Sequence, residues 1–74
     1  MVPSSERKKA MKIYNYYELI KMMQEGTLYG NERIVRISKK ENTFVTNSYN
    51  PTSQRIECHF YYLDTNKHRC TKSL

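Results

Sequence analysis

The chain separates into segments with two different hydrophobic periods. From Tyr16 the apolar positions fall at Tyr16, Leu19, Ile20 and Met23, which is the i, i+3, i+4, i+7 spacing of one helix face. Lys21, Gln24 and Glu25 lie off that stripe. Asn15-Tyr16-Tyr17-Glu18 has the form of a capping box, in which Asn15 and Glu18 each satisfy the other's orphan amide. Tyr14 and Leu19 then occupy the staple positions on either side of the cap. Gly26 suits the left-handed residue that closes a helix. The spacing therefore predicts a helix over residues 16–25, too short to be stable without packing.

After that helix the period changes to two. Gly30-Asn31 marks a turn, and Arg33 to Ile37 reads as a strand rich in β-branched residues. Lys39 to Asn42 is a polar loop of hairpin length, and Thr43 to Thr46 opens a second strand. Asn50-Pro51 predicts a turn, because proline cannot donate to a ladder. The alternation is plainest over residues 55–62. Ile56, Cys58, Phe60 and Tyr62 share one face; Arg55, Glu57, His59 and Tyr61 share the other. The apolar set is expected to meet the helix and the polar set to stay in water. After a turn at Asp64 to Lys67, His68 to Thr71 can form a short return strand. The expected fold class is α+β: one N-terminal helix on a three- or four-stranded antiparallel sheet, spanning residues 13–74. Residues 1–12 are expected to be a flexible basic lead-in.

Composition narrows the functional classes. With 74 residues the chain forms one small domain with a thin core, which excludes a multi-layer enzyme with a deep dry pocket. No apolar run approaches the ~20 residues of a membrane span, and no apolar block follows the first charges as in a secretory signal. Two cysteines without such a signal point to free thiols in the cytoplasm.

The net charge of +6 resides at the two ends. Arg7, Lys8, Lys9 and Lys12 stand against Glu6, and Lys67, Arg69 and Lys72 face no acid; residues 13–66 balance, six basic against six acidic. Basic ends aid solubility, and they can also neutralise phosphates without reading sequence. These seven basic residues are the candidate nucleic-acid contacts.

Cys58, His59, His68 and Cys70 form the ligand set of a zinc site. Neighbours on a strand leave opposite faces, however, so Cys58 and His59 diverge. If Leu63 pairs with His68, the two cysteines also fall on opposite sides, which precludes a shared metal or a disulfide; a loop one residue longer or shorter brings them to one side. No metal and no cofactor is therefore expected. Neither histidine sits in a nucleophile–base motif, and Gly26 and Gly30 form no phosphate loop. The chain is not expected to be an enzyme.

The 7 tyrosines exceed what so thin a core can bury. Exposed tyrosine suits protein contacts and base stacking alike. The candidate partner surface is the third-strand face of Arg55, Glu57, His59 and Tyr61.

Met11 to Ile20, closed by Glu25-Gly26, resembles the opening of many small phage and mobile-element proteins of Gram-positive bacteria, in which an MxIYEL-type helix ends at Glu-Gly and short strands follow. The resemblance implies a non-enzymatic accessory factor that binds a host protein or nucleoprotein, such as a defence nuclease, and inhibits or otherwise modulates it. Two alternatives stand beside it: a basic nucleic-acid-binding accessory protein using its two arms, and a small zinc-binding domain. The oligomeric state is open.

Overall fold

The computed structural model describes residues 13–73. It is an α+β arrangement of one helix, α1 (Tyr16–Glu25), packed on a four-stranded antiparallel sheet. The strands are β1 (Arg33–Ser38), β2 (Thr43–Asn50), β3 (Arg55–Tyr62) and β4 (His68–Ser73), ordered in space as in sequence. The proposed lead-in, with Arg7, Lys8, Lys9 and Lys12, lies outside the described residues.

The helix begins and ends where its residues dictate. Asn15 Oδ1 accepts from the Glu18 amide at 2.8 Å, and Glu18 Oε1 accepts from the Asn15 amide at 3.0 Å. These bonds satisfy two of the donors that a helix start leaves orphaned. At the other end Gly26 turns left-handed, with φ at 79°, and its amide reaches the carbonyls of Met22 and Met23. The expected stripe is rotated slightly. Leu19 and Met22 form the buried contact, while Tyr16 and Met23 flank it half-buried.

Tight turns close the meander. Tyr29 and Glu32 exchange backbone bonds of 2.8 and 3.0 Å around Gly30, which holds φ at 64°. The Asn50 side chain accepts from the Thr52 amide at 2.9 Å as the chain rounds Pro51. Asn66, left-handed with φ at 62°, ties the β3–β4 turn to the segment before the helix. Its Oδ1 accepts from the Tyr14 amide at 2.7 Å, and its Nδ2 donates to the Tyr14 carbonyl at 3.0 Å.

The core lies between α1 and one face of the sheet. Leu19, Met22, Ile34, Phe44 and Leu63 are its buried members, with Tyr29, Ile37 and Tyr61 packed around them. Register explains the selection. Phe44 pairs with Ile37 on one side and Tyr61 on the other, so all three share a face.

That pairing reverses the expected faces of the third strand. Tyr61, His59, Glu57 and Arg55 lie on the helix side, opposite Phe44, Thr46, Ser48 and Asn50. Ile56, Cys58, Phe60 and Tyr62 lie on the outer face with Val45, Asn47 and Tyr49. Ile56 is 45% exposed and Tyr62 41%, whereas Phe44 is fully buried. The physical reason is ring stacking: Tyr61 lies flat on Phe44, with centroids 5.1 Å apart and planes 14° apart. The Tyr61 hydroxyl then finds a carboxylate, so its polar end costs the core little.

Two bulges complete the sheet. One falls at Val35, between Ile34 and Arg36; the other lies between Phe60 and Tyr61, where β4 gains a residue at Arg69. Tyr61 therefore pairs with His68 and Phe60 with Cys70, in place of the Leu63–His68 pairing. The shift brings Cys58 and Cys70 to one face, the outer one.

Candidate functional site

Two surfaces of the sheet can act. The first is the part of the helix-side face that α1 does not cover, where Glu32 anchors a polar network. Its Oε1 accepts from the Tyr61 hydroxyl at 2.6 Å and from Thr46 Oγ1 at 2.7 Å. Its Oε2 stands 4.0 Å from His59 Nε2. Ser48 Oγ lies 2.7 Å from that same nitrogen, and Thr71 Oγ1 is 3.2 Å from His59 Nδ1 and 2.7 Å from His68 Nε2. Burial first, then the bond to Glu32 and its charge, push the Tyr61 hydroxyl well above the usual tyrosine range. Tyr29 is raised as well, again mainly by burial and next by Glu32.

This network joins a serine, a histidine and a carboxylate, but not as a relay. A nucleophilic relay places its hydroxyl on one imidazole nitrogen and its acid on the other. Here Ser48 and Glu32 both address Nε2, and Nδ1 faces Thr71. The arrangement fastens the turn before β1 to β2 and β3, and β3 to β4. Of the four residues expected to contact a partner, His59 and Tyr61 are thus committed to this network and to the core. Glu57 Oε2 accepts from Asn50 Nδ2 at 3.1 Å, and Arg55 stands exposed at the start of the strand. The four share a face as expected, but it is the helix-side face and only its distal end is open.

The second surface is the outer face. Among the described residues no helix packs against it. Val45 sits buried near its middle, in the row Arg36–Val45–Phe60–Cys70. Tyr49 is 60% exposed and Ile56 45%, and with Arg33 and Asn47 they edge a shallow depression of about 260 Å³. Asn47 Oδ1 is buried there with no hydrogen-bond partner among the described residues. Lys72 comes from β4 opposite Cys58 and holds its ammonium 5.5 Å from the Phe60 ring centre. Arg36 is paired with Glu41 at 3.1 Å, both side chains well exposed.

The described cationic positions expected to meet nucleic acid are thereby dispersed. Lys72 lies on the outer face, Arg69 at the bulge of the edge strand, and Lys67 in the turn before it. The four candidate zinc ligands do not converge either. Cys58 and Cys70 face outward as free thiols, whereas His59 and His68 face the helix side. Sequence reasoning missed Glu32 altogether, since a lone acid before a strand carries no signal of the hydroxyls that will gather on it. The outer face was legible only as an alternation whose direction was misassigned.

No described helix is long and apolar enough to cross a membrane. No protein-family model, no curated protein and no solved structure matches the chain.

Proposed function

We propose that the chain is a non-enzymatic accessory module of a phage or mobile element, acting in the cytoplasm, that binds and modulates a host protein or nucleoprotein. It docks through the outer face of its sheet. One observation carries this reading: the helix covers one side of the sheet, and the opposite side presents Tyr49, Ile56 and Tyr62 to solvent. Such a chain has little apolar material, and placing three large residues outside the core forgoes burial that a thin core needs. Apolar surface rimmed by polar side chains is the usual form of a recognition surface. The resemblance of residues 11–26 to phage and mobile-element openings supports the accessory role.

The test is capture of partners from extract of a Gram-positive host by the tagged chain and by two variants. Tyr49→Thr with Tyr62→Thr alters the outer face, and Arg55→Ala with Glu57→Ala alters the distal helix-side face. The reading requires a discrete partner that the first variant loses and the second retains. Retention by the first and loss by the second would return the contact to the face of Arg55.

A further inference from the structure

We infer that the occupant of the outer face is a single strand of nucleic acid, bound with its bases on Tyr49 and Tyr62 and its phosphates along Arg33, Arg36 and Lys72. The inference rests on the docking reading above and names the chemistry of the partner, the nucleic-acid part of a nucleoprotein or a free strand.

Charge selects this occupant. Within the four described strands there is one carboxylate, Glu57, and it lies on the opposite face. The outer face therefore joins three strand cations to no strand acid, and Glu41 from the β1–β2 turn offsets only Arg36. Such a face favours an acidic partner, and a nucleic-acid backbone supplies negative charge at every repeat. The sequence adds Arg7, Lys8, Lys9 and Lys12 at one end of the chain, next to a region that is otherwise neutral.

The aromatic positions fit the same occupant. The Lys72 ammonium lies over the Phe60 ring, which leaves Tyr62, two residues further along the same face, as the open ring at this end of the strand. Tyr49 lies two strand rows beyond Cys58, beside Ile56, and is the most exposed ring of the sheet. Every base has a π-face, so stacking on such rings tolerates any sequence, while cations between them track the backbone. Lys72, over the Phe60 ring, and Arg33, beside the Tyr49 depression, belong to one row of the sheet that lies between the two exposed rings, Tyr49 and Tyr62. Duplex is a poorer fit, because its bases are stacked on one another and unavailable to the rings.

The experiment is fluorescence anisotropy with labelled single-stranded DNA, single-stranded RNA of the same sequence, and the duplex, each at several salt concentrations. Binding of either single strand more tightly than duplex is expected, and the two single-stranded arms identify which sugar is preferred. Tyr62→Thr and Tyr49→Thr are each expected to weaken binding by roughly 5- to 150-fold, the cost of one lost stacking platform. Three phosphate contacts give a log–log salt slope of about −2, to which the basic ends add; Arg33→Gln with Lys72→Gln should reduce the slope by about 1.4. Circular dichroism of each variant excludes unfolding as the cause. Equal binding of duplex, or full binding by the tyrosine variants, would overturn the inference, since the basic ends alone would then account for affinity. A concentration-dependent dimer abolished by Ile56→Glu would overturn it in favour of a second copy. If no oligonucleotide binds but the Tyr49/Tyr62 variant still loses its captured partner, the nucleic-acid inference fails and the docking reading stands. If the variant keeps every partner as well, both fail.

Discussion

The two faces of one sheet meet different demands with nearly the same number of aromatic rings. On the helix side, Tyr29, Phe44 and Tyr61 touch edge to face or stacked at 5.1 to 5.2 Å, in one core with Leu19 of the helix and Ile34 of β1. On the outer side, Tyr49, Phe60 and Tyr62 meet no second layer among the described residues. The first set specifies the fold, because each ring is fixed by its neighbours. The second set adds little to stability and is free to meet something else. The comparison separates two roles that hydrophobicity alone would merge, for Ile56 and Phe60 are more apolar than Tyr61 and yet lie outside the core.

The largest effect expected from breaking this contrast is at Phe44. It is fully buried, so Phe44→Ala removes ring contacts and leaves a cavity, at a cost of about 3–5 kcal/mol. In a domain this small that approaches the whole stability, and urea denaturation should find the variant largely unfolded. Tyr61→Phe keeps the ring but withdraws one donor from Glu32, and about 1.5 kcal/mol should be lost. Asn15→Ala removes the cap of the only described helix and should cost about 1 kcal/mol in the same assay. At the small end, Tyr49→Thr keeps a good strand former on the exposed face and should change stability by no more than about 0.5 kcal/mol.

Alkaline pH sharpens the same contrast. The Tyr61 hydroxyl is raised in the folded state above its unfolded value near 10, so folding favours the protonated form. Its contribution is fully present below pH ~10 and is lost as pH rises from there towards the higher native value. Stability should therefore decline above pH ~10. Tyr61→Phe should soften that decline and delete the latest component of a tyrosinate absorbance titration. Tyr62→Phe should leave that component in place.

Much of the fold was legible because local rules and tertiary packing agree. The Asn15–Glu18 box, the closing Gly26 and the β-branched run of β1 each specify their element from neighbouring residues alone. The turns at Gly30, Asn42 and Asn66 use residue types that tolerate the left-handed region they occupy. What was illegible is non-local. Strand β3 alternates cleanly, but alternation says that two faces differ, not which one the helix will choose. The choice came from Phe44, the largest apolar side chain of β2, whose register position opposite Tyr61 drew the polar set inward. In β2 itself the run Phe44-Val45-Thr46 does not alternate in polarity, so it gave no direction. The bulges at Val35 and Arg69 have no glycine or proline to announce them. The second of these brought Cys58 and Cys70 to one side, which the assumed turn had kept apart. The candidate site inherited this reversal: its residues were grouped correctly by face, and the face was turned to the wrong side.

Adjacent residues test the claim on which the rest depends. Tyr61→Thr and Tyr62→Thr make the same chemical change one residue apart, and urea denaturation of the two can be compared directly. With Tyr61 turned inward onto Phe44 and Glu32, its variant should lose about 3 kcal/mol, while the Tyr62 variant stays within about 1 kcal/mol of the parent. A Tyr62 variant that is the less stable of the two would mean that the outer face is the true core side, and the docking surface placed there would be wrong.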